Sequence, residues 1–107
     1  MRFSICILSY NAQATIEESG VSWRDQNCQP YEIPRSDDCS NDNTIDILRN
    51  LTSSNKQENI KIFSQGKNLG IPKNTNFLIN KASGDILFFI AGDDYINRDF
   101  LQSYHKI

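Results

Sequence analysis

Two adjacent carboxylates, Asp93 and Asp94, are the most informative feature of this sequence. They follow Gly92 and the run Asp85–Ile90, which is apolar after its first residue and is typical of a strand buried on both faces of a parallel sheet. Carboxylates this close repel each other unless a cation or a shared proton relieves the repulsion. Oxygen ligands favour Mg²⁺ or Mn²⁺, which commonly hold phosphorylated substrates. The alternative is a solvated acidic turn, because Gly-Asp pairs are also common in turns.

Two more polar clusters follow predicted strands. Ser9-Tyr10-Asn11 ends the first strand, and Ser36-Asp37-Asp38 follows the second. In open parallel sheets, ligands bind beyond the carboxyl ends of the strands. Polar clusters at three such ends therefore predict one common binding site at this edge of the sheet.

Apolar and polar segments alternate along the chain as β-α-β-α-β-α-β, which predicts a mainly parallel sheet with helices on both faces. The strands are expected at Phe3–Leu8, from Tyr31 to an interruption at Pro34, at Ile60–Phe63 and at Asp85–Ile90. The helices are expected over residues 12–26, between an N-cap at Ser40 or Asp42 and the polar turn Thr52–Glu58, and from Gly70 to Gly84.

Composition narrows the class of protein. The chain has 107 residues and a formal charge of −2 with interspersed signs, so it predicts one small domain without the basic face that nucleic-acid binding requires. Its three cysteines are an odd number without a C-x-x-C pair, which favours reduced thiols and a cytoplasmic location, the inner face of the membrane included. We expect no signal peptide and no membrane span, because the first apolar stretch is short and interrupted.

The sequence lacks the motifs of several other classes of protein that bind nucleotides or carry paired acidic residues. The turn Ser9–Ala12 lacks the Gly-x-Gly-x-x-Gly of dinucleotide-binding domains, and a Walker A loop is absent from the sequence. A phosphorelay receiver needs another acid at a strand end, whereas Asp85 begins its strand. Viral RNA polymerases carry Gly-Asp-Asp in a hairpin of a much larger, basic protein, which the length and charge exclude.

The ordered motifs resemble those of family 2 glycosyltransferases of the GT-A fold, over nearly the whole chain. The resemblance is carried by Phe3–Asn11, Tyr31–Ile33, Ser36–Thr44, Asn68–Ile71 with Lys73-Asn74, Ala82–Asp85 and Gly92–Tyr95. It implies a Rossmann-like sheet that binds a nucleotide-diphosphate sugar, with a UDP-sugar as the expected donor. It also implies transfer of a hexose-type sugar to an acceptor glycan or lipid-linked glycan in polysaccharide or glycoconjugate synthesis.

The resemblance assigns roles position by position. Ser9, Tyr10 and Asn11 match the loop that borders the nucleotide. Asp38 matches the acid that accepts a hydrogen bond from the base, and Asp37 is expected to be its less constrained neighbour. Together with Lys73, these positions form the implied nucleotide site.

The resemblance also implies a divalent cation, Mg²⁺ or Mn²⁺. Asp93 matches the last acid of the D-x-D motif, which bridges the cation to the diphosphate, and Asp94 is expected to help hold the metal or its waters. A bound cation stabilises the negative charge that the leaving nucleoside diphosphate gains.

The sequence departs from the family pattern at several positions. Ala91 replaces the first acid of D-x-D, and Thr75 stands where many relatives have an arginine, for which Lys73 or Lys67 is the substitute. Pro34 lies in the predicted strand that positions Asp37 and Asp38.

The family members are longer, with the acceptor pocket and the general base in their second half. We therefore interpret residues 1–107 as the truncated, donor-binding N-terminal part of a GT-A domain, with the general base expected beyond residue 107 and the catalytic residues unknown. We expect it to be inactive alone. The alternatives are a non-catalytic remnant or nucleotide-binding subunit, and self-association through an exposed sheet edge.

Overall fold

The computed structural model describes residues 1–55 and 60–105 of the chain. Within these residues, four strands and four helices alternate. Their bounds are β1 Phe3–Ser9, α1 Ile16–Arg24, β2 Ile33–Asp37, α2 Thr44–Asn55, β3 Ile60–Ser64, α3 Ile71–Lys81, β4 Ile86–Ala91 and α4 Phe100–His105. The strands form one parallel sheet in the order β3-β2-β1-β4, which confirms the predicted α/β class.

The strand order reverses between β1 and β4. The chain moves outward from β1 to β2 and β3 and then crosses back to the other side of β1. Because such crossovers are right-handed, α1 and α2 lie on one face and α3 lies on the other. The packing of α1 against α2, and of α3 against β1 and β2, agrees with this arrangement. A reversal of this kind opens a crevice at the carboxyl edge of the sheet.

The main core fills the face that carries α1 and α2. Phe3, Ile5 and Ile7 alternate toward it from β1, and all three are buried. Their partners in the same cluster include Ile16, Trp23, Ile33, Leu48 and Leu101. The opposite face is thinner. There Leu78 of α3 is buried, and a hydrogen bond from the Asn74 amide to the Ser36 carbonyl (3.1 Å) ties α3 to β2.

Pro34 lies within β2 and does not end it. The β1 ladder of β2 has a gap at this point, between the Ser4↔Glu32 bridge and the Ile7↔Arg35 pair. The β3 ladder continues through the Pro34↔Lys61 pair. The predicted interruption is therefore wrong, because the missing N–H affects only one of the two ladders.

Two helices also differ from the sequence-based expectation. Residues 12–15 form a turn closed by the Ile16 N–H on the Ala12 carbonyl (2.8 Å), so α1 begins four residues late. Helix α2 continues to Asn55, through part of the predicted polar turn, whose residues 56–58 lie outside the described residues. Asp42 rather than Ser40 accepts the N–H of Thr44, the first residue of α2 (3.0 Å).

Candidate functional site

A cavity of about 530 Å³ lies at the carboxyl ends of β1 and β4, where the strand order reverses. Its walls come from the loops after β1 and β2, the end of β4 and the start of α3. Five of the polar residues singled out from the sequence line it: Ser9, Tyr10, Asn11, Asp38 and Asp93. The three predicted clusters therefore contribute to one cavity. Asp37, Lys73 and Asp94, which were also expected there, are not among its lining residues.

The loops after β1 and β2 are joined by a dense set of hydrogen bonds. Backbone N–H groups of one loop donate to side chains of the other, and the reverse. These bonds are Asn11 N–H to Ser40 Oγ (2.9 Å), Ala12 N–H to Thr44 Oγ1 (2.9 Å), Gln13 N–H to Asp42 Oδ2 (3.1 Å), Asn41 N–H to Asn11 Oδ1 (2.8 Å) and Asn43 N–H to Gln13 Oε1 (3.0 Å). We call residues 9–13 and 37–44 the loop platform. Its geometry is fixed by internal contacts.

Asp37 is the most constrained acid of the site. It is 1% exposed, and its carboxylate accepts hydrogen bonds from the Ser9 hydroxyl (2.7 Å), the Ser40 hydroxyl (2.7 Å) and the Ser40 N–H (2.9 Å). The expectation that it is the less constrained of the two neighbours is wrong. The reason is the alternation of strand side chains, since Asp37 shares the face of Ile33 toward α1 and α2.

Asp38 faces the cavity and also anchors the start of α3. Its carboxylate accepts the N–H groups of Leu69 (2.6 Å) and Gly70 (3.1 Å), just before the helix begins. An ionised carboxylate has about four lone-pair positions, so it retains capacity for a further donor. Gly70 has φ 84°, a left-handed conformation that glycine adopts without strain.

The turn that carries Asp93 is held against β1. A Cβ on Gly92 would lie 2.9 Å from Ser9 Cβ and 3.1 Å from Ile16 Cδ1, so only glycine fits there. The Asp94 N–H closes the turn on the Ala91 carbonyl (3.0 Å). Within the described part of the chain, the carboxylate of Asp93 is exposed and makes no hydrogen bond, and it lines the cavity.

The residues present fit a divalent cation that is shared with a bound diphosphate. The described residues contain no group of three or more His, Cys, Asp and Glu side chains placed to hold a metal ion. Mg²⁺ is usually bound by one or two carboxylates, waters and substrate phosphates instead of a full protein cage. Asp93 would supply such a carboxylate at the cavity, whereas Asp94 does not line it and the oxygens of Asp37 already accept three hydrogen bonds.

Asn74 is one of the residues that carry the family resemblance, but no role was predicted for it. It is 2% exposed, lines the cavity from α3 and shares two hydrogen bonds with Ser36 of β2. The available signal was its position in the predicted helix, four residues before the apolar Leu78 and therefore on the same side of the helix. Lys73, by contrast, is exposed on α3, so its expected role at the nucleotide stays a prediction.

Comparisons with known proteins point to a single family. The family described as Glycosyl transferase family 2 matches residues 4–104. The poly(ribitol-phosphate) beta-N-acetylglucosaminyltransferase TarS of Staphylococcus aureus is 30% identical over 105 residues, which cover 95% of this chain and 18% of TarS. An uncharacterized glycosyltransferase of Haemophilus influenzae is 32% identical over 99 residues, covering 92% of this chain and 39% of that protein.

Solved structures agree with the sequence relationship. The crystal structure of S. aureus TarS 1–349 in complex with UDP-GlcNAc has a TM-score of 0.86 and 33% identity, covering 99% of this chain and 30% of that one. The mannosyltransferase PcManGT of Pyrobaculum calidifontis, in complex with GDP-Man and Mn²⁺, shares the fold, with a TM-score of 0.89 and 22% identity, covering 98% of this chain and 31% of that one.

The chain thus spans less than two fifths of each of these proteins. Its strand order, the position of its cavity and the family match over nearly its whole length agree with one another. The chain belongs to glycosyl transferase family 2, and its fold is that of the GT-A glycosyltransferases.

Proposed function

We propose that residues 1–107 form the donor-binding part of a glycosyltransferase that takes a sugar from a nucleoside diphosphate. One observation supports this most directly. Asp38 and Asp93 come from different crossovers and line the same cavity at the reversal of strand order. The TarS complexes contain UDP-GlcNAc or UDP, so a uridine nucleotide is the expected donor carrier here.

Each side of the cavity has a separate task in this proposal. The platform side receives the nucleoside: Tyr10 is 47% exposed at the cavity, and Asp38 has a free acceptor position for an N–H of the base. Asp93 faces the diphosphate through Mg²⁺ or Mn²⁺, with Asp94 beside it. When bound, the cation would offset the negative charge that develops on the departing nucleoside diphosphate.

Transfer also requires a base for the acceptor hydroxyl. Among the described residues that line the cavity, the carboxylates are Asp38 and Asp93, and both already have a donor-side task. We place the general base and the acceptor site, for a glycan or a lipid-linked glycan, beyond residue 107. The 107-residue chain is therefore expected to bind donor without transferring sugar, and detectable transfer would contradict this.

Calorimetry with UDP and GDP, each with and without Mn²⁺, tests the donor site. We expect Mn²⁺ to tighten UDP binding, and Asp93→Asn to abolish that gain. The matched control is Asp85→Asn, at the opposite end of the same strand, where the carboxylate pairs with Arg2 at half-exposed positions. Absence of nucleotide binding under all conditions would favour the non-catalytic remnant, and an equal loss in both variants would contradict the assigned role of Asp93.

Self-association is a separate part of the proposal. Strand β4 lies at the end of the described sheet, and Ile86 and Phe89 are 36% and 40% exposed. Unprotected apolar edges pair with other strands. Light scattering should show a dimer or larger species that Ile86→Lys disperses. Ile79→Lys, at an exposed position of α3, is the control and should leave the species unchanged.

The location of the protein remains a prediction. Within residues 1–55 and 60–105, none of the helices has the length and apolar character needed to span a bilayer. Cys6, Cys28 and Cys39 are free thiols. We expect a cytoplasmic location, which includes the inner face of the membrane.

A further inference from the structure

The second half of α1 and the residues after it bind the segment that follows Asp93. Among the described residues, six hydrogen bonds connect residues 22–27 to residues 94–101. They are Trp23 Nε1–H to the Asp94 carbonyl (3.0 Å), Ile96 N–H to Ser22 Oγ (3.0 Å), Gln26 Nε2–H to the Asn97 carbonyl (2.8 Å), Leu101 N–H to Gln26 Oε1 (3.1 Å), Asn27 N–H to the Arg98 carbonyl (2.9 Å), and Asn27 Nδ2–H to Asp99 Oδ1. We call this set the α1 bracket.

Gln26 is the centre of the α1 bracket. It is 4% exposed, and both ends of its amide are used. Nε2 donates to the carbonyls of Ser22 (3.0 Å) and Asn97 (2.8 Å), while Oε1 accepts from the Leu101 N–H. A buried amide is costly unless its hydrogen bonds are made, and an apolar residue could fill the same volume. We therefore infer that the Gln26 amide serves to hold the backbone of residues 97–101 in place.

Trp23 controls the other end of the segment. Its side chain is fully buried in the core, and its indole N–H donates to the Asp94 carbonyl. The Asp94 N–H donates in turn to the Ala91 carbonyl at the end of β4. Asp93 thus lies between a residue fixed by the sheet and a peptide group fixed by α1. Because its carboxylate makes no hydrogen bond to the described residues, its place at the cavity depends on the backbone of this turn.

We propose that Gln26, Trp23 and Ser22 are positioning residues, which hold the Gly92–Asp94 turn so that Asp93 faces the cavity. In this inference, α1 sets the affinity of the site for its cation without touching the cation. The inference rests on the proposed function, because it requires that Asp93 holds a cation. Residues that orient metal ligands typically change metal affinity by about 10- to 100-fold when they are replaced.

The test uses the 107-residue chain with two variants and one control. Gln26→Met keeps the volume and removes both side-chain contacts to residues 97–101, and Ser22→Ala removes the acceptor of the Ile96 N–H. The control is Gln29→Met, since the Gln29 amide is exposed and bonds locally to the Gln26 carbonyl. Electron paramagnetic resonance of free Mn²⁺, at saturating UDP, measures cation affinity. Calorimetry with UDP in EDTA measures nucleotide binding without metal.

We expect Gln26→Met to weaken Mn²⁺ binding by about tenfold, Ser22→Ala to weaken it by about threefold, and Gln29→Met to leave it unchanged. UDP binding in EDTA should stay within about twofold in every variant, because the loop platform is untouched. Hydrogen exchange should show faster exchange of the Asp94 and Ile96 amides in Gln26→Met and unchanged exchange in residues 40–44. A merely structural role would weaken UDP binding and Mn²⁺ binding together.

Asp93→Asn separates the inference from the proposed function. If Asp93→Asn lowers Mn²⁺ affinity while Gln26→Met and Ser22→Ala keep the wild-type value, the positioning role is wrong and the donor site stands. If Asp93→Asn itself leaves Mn²⁺ affinity unchanged, the cation role proposed for the site is wrong, and the positioning role fails with it. Should Gln26→Met fail to fold, as judged by circular dichroism, Ser22→Ala decides the question alone.

Discussion

The loop platform and the Gly92–Asp94 turn border the same cavity, but they are built in opposite ways. In the platform, the carboxylates are used up by neighbouring donors. Asp37 accepts from the Ser9 and Ser40 hydroxyls and the Ser40 N–H, and Asp42 accepts from the N–H groups of Gln13 and Thr44. In the turn, only the backbone is held, and the carboxylate of Asp93 is free of hydrogen bonds to the described residues. Aspartates thus hold the loop platform together, whereas in the Gly92–Asp94 turn the carboxylate of Asp93 remains available to a ligand.

Asp38 combines the two roles and shows why residue type alone does not separate them. It accepts two backbone N–H groups from the loop before α3, yet it also lines the cavity. A carboxylate with two filled positions can still accept from a ligand, whereas one enclosed on all sides, such as Asp37, cannot do so without breaking the platform. The hydrogen-bond partners, more than the motif, distinguish structural acids from ligand-binding ones.

Removing one acid from each half should give the largest contrast. Asp37→Ala leaves the hydroxyls of Ser9 and Ser40 and the Ser40 N–H without their acceptor. We expect it to lower the free energy of unfolding by about 3 kcal/mol, because hydrogen bonds to buried charges are costly to remove. Asp93→Ala removes an exposed side chain and should change that free energy by about 0.5 kcal/mol or less. Urea denaturation measures both.

Equal losses in Asp37→Ala and Asp93→Ala would refute the contrast between the two regions. Asp37→Asn is the informative intermediate. Its amide keeps one acceptor oxygen, so it should retain part of the stability that Asp37→Ala loses.

The second largest effect concerns β2, the strand that carries Asp37. Arg35 is 1% exposed, and its Nε and Nη1 have no hydrogen-bond partner within the described residues. Burial, and to a lesser extent the charge of Arg24, lower the pKa of the Arg35 guanidinium from 12.5 to about 10. A shift of this size corresponds to roughly 3 kcal/mol of destabilisation while the group is charged in both states.

Replacing Arg35 with methionine should therefore stabilise the chain. We expect about 2 kcal/mol at neutral pH, because the contact of the guanidinium with the Trp23 ring, 5.5 Å from its centroid, is lost at the same time. The advantage of Arg35→Met over the wild type should also shrink as pH increases above about 10, since the folded wild type loses the Arg35 proton first. Arg98→Met, at an exposed position, is the control for urea denaturation. A destabilised Arg35→Met would mean that the platform depends on this charge.

The elements with strong local patterns were predictable from the sequence. The runs that became β1 and β4 are mostly apolar and end at polar residues, so local patterns sufficed to locate both strands. The expected burial of β4 on both faces is wrong, because β4 lies at the end of the described sheet, where Ile86 and Phe89 are 36% and 40% exposed. The start of α1 was missed because the Ala12 N–H is taken by Thr44 Oγ1, a contact between residues 32 positions apart. The predicted interruption at Pro34 was wrong because the effect of a proline depends on which neighbouring strand its backbone nitrogen faces.

The position of the site was predictable, but the separate roles of its acidic residues were not. Three polar clusters at strand ends were enough to place Asp38 and Asp93 at one edge of the sheet. The enclosed state of Asp37 and the α1 bracket around Gln26 both depend on long-range hydrogen bonds. No spacing along the chain encodes such contacts.

A smaller effect is expected at a strained position of the platform. Cys39 has φ 62°, a left-handed conformation that costs an L-residue about 1–2 kcal/mol. Cys39→Gly removes this strain but adds freedom to the unfolded chain, so we expect a net gain of about 0.5 kcal/mol. Cys39→Ala keeps the strain and should give no gain in urea denaturation. A gain of the same size in Cys39→Ala would show that the thiol, and not the backbone, limits the platform.

The last effect is of similar size and concerns the acid stability of the platform. Partial burial raises the pKa of Asp42, but hydrogen bonds from the Thr44 hydroxyl and N–H and from the Gln13 N–H outweigh it, so the pKa lies below the ordinary 3.8. A lowered pKa means that Asp42 stabilises the folded state above pH 3.8, and that this contribution is lost as pH falls through the folded-state value.

Asp42→Asn should therefore cost about 0.5–1 kcal/mol in urea denaturation at neutral pH, and the difference from wild type should shrink as pH falls through the folded-state pKa of Asp42, because the protonated carboxyl is uncharged like the amide. The matched control is Asp46→Asn, an exposed position in the first turn of α2, which should show a smaller and flatter difference. A difference that persists at low pH would mean that the geometry of the Asp42 side chain, and not its charge, holds the two loops together.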